Sequence, residues 1–213
     1  MPGVKSKSDN ASHQPKIIMS YEVTSRDYLQ RAKNCLDKNE HQYLFYAAFE
    51  IRCGVEARMS EYLEVQQHIS KKKKQGWKIA KLARNIEEAF RLGETVAVLK
   101  VLNNKTREIE LEVRYTPVRA SLRKRAEKLG NYLHCGKNHY ESDHPFWVSF
   151  RSELVEAAKE LEWAVSGRLL GPLLKHKNKD DVRVYIELPT KNEINLIKHY
   201  TSGTETILVV EYE

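Results

Sequence analysis

The chain has 213 residues, a formal net charge of +7 and a pI near 9.2, with 41% hydrophobic and 31% charged residues. That length builds one sizeable core, or one core with a small appendage, and no run of about 18 apolar residues is present to cross a membrane. The basic balance favours polyanionic partners, nucleic acid or an acidic protein face, although a lysine-rich solvated surface gives the same balance.

Three cysteines, Cys35, Cys53 and Cys135, lack CxxC spacing and suit a reducing cytosol. The N-terminus carries no apolar signal stretch, so a cytoplasmic location is expected. Residues 1–18 are polar with scattered prolines and read as a disordered tail. Thr24 and Asp27 form an N-cap pattern for a first helix running to about Asp37, with Leu29, Ala32 and Leu36 inward. In the second helix Leu44, Ala48, Ile51, Val55, Met59 and Tyr62 recur at steps of three and four, one apolar stripe. That helix also carries Glu50, Arg52, Glu56 and Arg58. Arg52 and Glu56 stand at i,i+4 and can pair on a solvated flank, or one of these charges can face a later helix across a groove.

Lys71, Lys72, Lys73 and Lys74 read as a loop, either a phosphate-contacting patch or a solvated connector. Trp77 and Tyr21 are candidates to stack on bases. A third helix shows Ile79, Ala83, Ile86 and Phe90 on one face.

The period then falls to two. Ile109, Leu111, Val113 and Tyr115 alternate with charged residues, and Val96–Leu102 is the expected partner strand across Asn103–Thr106, a hairpin near 95–115. Pro117 suits the first turn of a fourth helix carrying Arg119, Arg123, Lys124, Arg125 and Lys128 and ending near Gly136. A fifth helix starts near Pro145, with Trp147, Phe150, Leu154, Ala158, Leu161 and Val165 as its stripe, and Gly171-Pro172 ends or bends it. The tail returns to strands near 181–212, around Val182–Leu188 and Thr206–Tyr212, with a short helix near 191–199 started by Thr190 and Glu193. The expected fold is mainly α, a bundle of about five helices over 19–175 with a small β appendage completed by 176–213.

Residues 129–144, LGNYLHCGKNHYESDH, concentrate the polar chemistry. His134 at the end of the fourth helix lies near carbonyls that favour its protonated form. Beside arginines, such a histidine can protonate a leaving 5′ oxygen while guanidinium groups hold the phosphate. It can equally do no more than cap the helix. His134, Cys135, His139, Asp143 and His144 offer zinc-ligating atoms, but their spacing matches no common zinc module, and no metal or cofactor is assigned. His41, His68, His176 and His199 read as solvated. Gly-rich phosphate loops, HExxH, GxSxG and EF-hand patterns are absent.

The segments YLFYAAFEIRCGVEARMSEYLE and RKRAEKLGNYLHCG resemble the HEPN superfamily, over about residues 20–170. The resemblance implies a helical bundle that dimerises with paired polar motifs in a cleft. Many members are metal-independent endoribonucleases of toxin–antitoxin or phage-defence systems, and others bind RNA or a protein without catalysis. It implies RNA as partner, a homodimer, an antitoxin or defence-system protein alongside, and no membrane. By this resemblance Arg125 would hold phosphate, His134 act as general acid or base, and Asn131 orient the substrate or His134. Lys71–Lys74, Arg119 and Arg123 would contact nucleic acid. Arg125 and His134 are separated by eight residues, a longer interval than in the family's motif. The alternative is a non-catalytic dimeric interaction module, joined through Trp147 and Phe150, whose strands dock a partner by edge pairing.

Overall fold

The computed structural model describes residues 23–134, 140–172, 174–175, 182–183, 185–187 and 206–213. The expected N-terminal tail and the short helix near 191–199 lie outside the described residues. So do Cys135, His139, His176 and His199.

Helix α1 (Ser25–Leu36) starts on a full capping box. The Asp27 N–H donates to Thr24 Oγ1, and the Thr24 N–H donates to Asp27 Oδ2 at 2.8 Å. The Thr24 hydroxyl, donating to the same carboxylate at 2.7 Å, and the Thr24 N–H hold the Asp27 carboxyl below its ordinary range. The Ser25 N–H and hydroxyl both donate to Glu61, so a carboxylate of α2 (Gln42–Glu64) sits at the positive end of α1. At the other end Arg151 donates to the carbonyls of Leu36 and Lys38, tying α1 to α6 (Phe146–Ser166).

The α2 stripe is buried as its period requires: Leu44, Ala48, Ile51, Val55, Met59 and Tyr62 are all at most 1% exposed. It meets Leu154, Ala158, Leu161 and Val165 of α6 in one core. Two further helices complete the bundle, α4 (Ile79–Phe90) and α5 (Ala120–Leu129). Between α2 and α4 the lysine run forms a one-turn helix, α3 (Lys71–Lys74), where a loop was expected. Asn85 of α4 supplies the reason, since its buried Nδ2 donates to the Lys73 carbonyl at 2.7 Å and closes that turn.

Strands β1 (Ala97–Asn103) and β2 (Ile109–Tyr115) pair antiparallel in the expected hairpin. Asn103 Oδ1 accepts from the N–H groups of Lys105 and Thr106, the local bond that makes asparagine a turn residue. Strand β5 (Thr206–Tyr212) pairs with the other edge of β1, so hairpin and tail form one sheet of order β2-β1-β5. A second pair, β3 (Leu174–Lys175) with β4 (Val182–Arg183), is separate. The sheet docks on the bundle through aromatic rings, Tyr62 to Tyr115 at 5.1 Å and Phe90 to Tyr115 at 5.7 Å. The architecture is mainly α with a small antiparallel sheet.

Several expectations need correction. Pro117 lies buried in an extended link, and α5 begins three residues later at Ala120. That helix ends at Leu129, and the chain tightens into a 3-10 turn over Gly130–Leu133 rather than continuing to Gly136. Phe150 is 2% exposed inside the core, which removes it from any surface contact. His41 is not isolated among polar neighbours but half-buried, its ring stacked on Trp147 at 4.1 Å and 7°. Arg58, grouped in the sequence with the other charges of α2, is fully buried within the apolar stripe of that helix.

Candidate functional site

A cleft of about 380 Å³ opens between the middle of α2, the loop after α3 and the exit of α5. Asn131 and His134 of the polar segment line it. Opposite stand Phe49, Arg52, Cys53 and Glu56 of α2, one side of that helix at steps of three and four. Trp77 forms another wall and is 65% exposed, so an apolar ring face is offered to whatever enters.

Gly130 explains how α2 and the α5 exit come so close. A Cβ there would collide with the Arg52 guanidinium, so the absent side chain is what lets that cation lie against the turn. Arg52 Nη1 donates to the Ala126 carbonyl at 3.1 Å, and its Nε bridges Glu56 at 3.1 Å. Those bonds aim the guanidinium across the groove between α2 and α5. They also realise the i,i+4 pairing legible in the sequence. Burial pushes the Glu56 carboxyl above its ordinary value despite Arg52 beside it. Glu127 completes the polar lining.

The 3-10 turn that carries Asn131 is held from behind by rings. Tyr132 packs on Phe150 at 4.5 Å and on Phe146 at 6.0 Å, and Phe146 stacks on Tyr140 at 4.1 Å. His144 serves structure, its Nδ1 accepting from the Phe146 N–H at 3.1 Å at the start of α6. His134 follows the turn in extended backbone with its ring exposed at the cleft rim.

The other expected residues are placed elsewhere. Arg125 bridges Glu160 of α6 at 3.1 Å, and Ser121 donates to the same carboxylate. Helical phase accounts for this, because position 125 lies about 200° around the axis from the cleft-lining Glu127. Arg119 lays its guanidinium over the Trp163 ring at 3.7 Å. Arg123 donates to the Val118 carbonyl at 2.9 Å. Both sit at the start of α5, and Arg119 is about 18 Å along the axis from position 131. Of the four lysines, Lys73 bridges Glu88 at 2.7 Å and Lys74 reaches the Glu64 carbonyl, while Lys71 and Lys72 are exposed. Arg52 and Glu56 are thus the charged pair that the site holds in place of Arg125.

Cys53 gives an independent check on the cleft wall. Burial, with Glu56 and Glu50 adding to it, pushes its thiol up from 9.0 to about 11. Only the thiolate is nucleophilic, so iodoacetamide at pH 7.5 should modify Cys53 about a hundredfold more slowly than a free cysteine peptide. Mass spectrometry of the peptide containing Cys53 reads this. Modification at the free-peptide rate would mean that α2 does not pack against α5 as described.

Comparison with protein-family models, curated proteins and solved structures finds no match, so any functional reading rests on the geometry of the cleft. Among the described residues no helix is long and apolar enough to cross a membrane.

Proposed function

We propose that this chain is a HEPN-like protein that binds single-stranded RNA in the α2–α5 cleft and cleaves it without a metal, in a phage-defence or toxin–antitoxin role. The observation that carries this reading is the convergence in one cleft of an acid–base pair, a guanidinium and an exposed indole: Glu56, His134, Arg52 and Trp77. Trp77 offers a stacking face for an unpaired base. Glu56, its basicity raised by burial, takes the proton of a ribose 2′-hydroxyl as that oxygen attacks the adjacent phosphorus. Arg52 neutralises charge on the non-bridging oxygens. His134 delivers a proton to the departing 5′ oxygen, leaving a 2′,3′-cyclic phosphate and a 5′-hydroxyl. Asn131, on the same turn, orients the substrate or His134.

The pH dependence tests the division of labour. A general base must be ionised, so cleavage rises with pH through the Glu56 pKa, and the acid limb should lie above the ordinary carboxylate range. In Glu56→Gln that limb should vanish and the rate fall by about a hundredfold or more. An unchanged limb in the variant would remove Glu56 from the mechanism.

A second reading, a non-catalytic RNA or protein interaction module, is favoured by one observation. Arg52 is already committed to Glu56 and to the Ala126 carbonyl, as a structural cation would be. It predicts binding in the same cleft without product.

A further inference from the structure

The +7 charge of the chain is strongly localised. Residues 71–91 contain eight lysines and arginines against two glutamates, a net +6. Glu88, one of those glutamates, is bridged by Lys73, and the other, Glu87, lines a separate small pocket beside Tyr115 and Arg123. Lys71, Lys72, Lys78, Lys81 and Arg84 are exposed and make no ion pair among the described residues.

Lys78, Lys81 and Arg84 recur at steps of three along one side of α4 and its lead-in, and two local features bring α3, with Lys71 and Lys72, beside it. The buried Asn85 amide bonds the Lys73 carbonyl and pins α3 onto α4. Gly76, at φ +138, turns the chain between them, a conformation that side-chain-bearing residues rarely adopt. Lys81 reaches back over that turn, its Nζ 3.8 Å from where a Gly76 Cβ would stand. Trp77 projects from the same turn with the Lys78 ammonium 5.9 Å from its ring centre. The indole therefore belongs both to the cationic surface and to the cleft wall.

We infer that single-stranded RNA reaches the cleft along this α3–α4 surface, its phosphates held by Lys71, Lys72, Lys78, Lys81 and Arg84 and a base stacked on Trp77. The inference rests on the RNA reading above and assigns the strand's approach. An acidic protein face would match the charge but gives no role to an exposed indole among the lysines. A strand with unstacked bases uses both. Lys73 and Lys74 contribute little, being engaged by Glu88 and Glu64.

The test is fluorescence anisotropy of a labelled 20-nucleotide single-stranded RNA, and of the matching duplex, with full-length protein over a range of salt. Lys78→Gln/Lys81→Gln/Arg84→Gln removes three phosphate contacts. The slope of log affinity against log salt should shrink by about 2, and binding at 0.1 M salt should weaken about a hundredfold. Trp77→Leu should weaken single-strand binding while leaving that slope unchanged. Thermal melting of all variants should match the parent protein, because these side chains are exposed. An unchanged slope in the triple variant, with the parent binding RNA, overturns the path but leaves the cleft standing. Duplex bound more tightly than single strand overturns the strand assignment. No RNA binding by the parent protein overturns both this inference and the functional reading beneath it.

Discussion

Replacing Arg58 by alanine is expected to lower the free energy of unfolding by about 3–5 kcal/mol, the range found when one partner of a buried charge network is removed. Arg58 is 0% exposed and joins three parts of the chain. Its Nε donates to the Tyr62 hydroxyl at 2.9 Å and the Ala164 carbonyl at 3.1 Å, and its Nη2 donates to the Gly167 carbonyl. Nη1 reaches Glu61 at 3.0 Å and Glu187 at 3.3 Å. Burial opposes the charge, but Tyr62, Glu61 and Glu187 outweigh it and hold the guanidinium above its ordinary value. Truncation removes the guanidinium from Glu61 and Glu187, takes one donor each from the Ala164 and Gly167 carbonyls and the Tyr62 hydroxyl, and leaves a cavity. Lysine at this position keeps the charge but not the fork, so Arg58→Lys should recover only part of the loss.

Gly167 probes the same junction from the other side. A Cβ there would stand 2.6 Å from the Arg114 carbonyl oxygen and 2.9 Å from the Thr116 nitrogen, and it would also collide with the Thr116 hydroxyl. Backbone cannot step aside as a flexible side chain can, so Gly167→Ala should also destabilise markedly. Urea denaturation reads both variants. A loss below about 1 kcal/mol for Arg58→Ala would mean that the helix-to-sheet junction is not held as described.

Removing His134 is expected to have the largest effect on activity. A positioned general acid contributes about 10²–10⁴-fold to rate, so His134→Ala should cut RNA at least a hundredfold more slowly. The ring is exposed at the cleft rim with no buried packing to lose. Melting temperature and RNA affinity should therefore stay near those of the parent protein, separating chemistry from folding and binding. A rate within threefold of the parent would exclude His134 as the acid.

Much of the fold was legible because its signals are local. The stripe from Leu44 to Tyr62, the Thr24–Asp27 box and the alternation from Ile109 to Tyr115 each fix an element within a few residues. The pairing of β5 with β1 is long-range, and no local pattern says which edge the tail will join. The burial of Arg58 is legible from its position. It lies three residues after Val55 and four before Tyr62, inside the apolar stripe, whereas its partners Gly167 and Glu187 come from distant segments that no local pattern points to. Of the polar residues in 129–144, Asn131 and His134 line the cleft. Their arginine was sought nearby in sequence, whereas Arg52 comes from a helix almost eighty residues away. The one local hint was Gly130, whose missing Cβ admits Arg52 to the turn.

The most direct measurement is incubation of single-stranded RNA with purified protein in excess EDTA, alongside His134→Ala, with end-group analysis of the products. Cleavage that persists in EDTA, leaves 2′,3′-cyclic phosphate and 5′-hydroxyl ends, and is lost in His134→Ala is the predicted result. RNA bound in the cleft but left intact by the parent protein would contradict catalysis and establish the binding module instead.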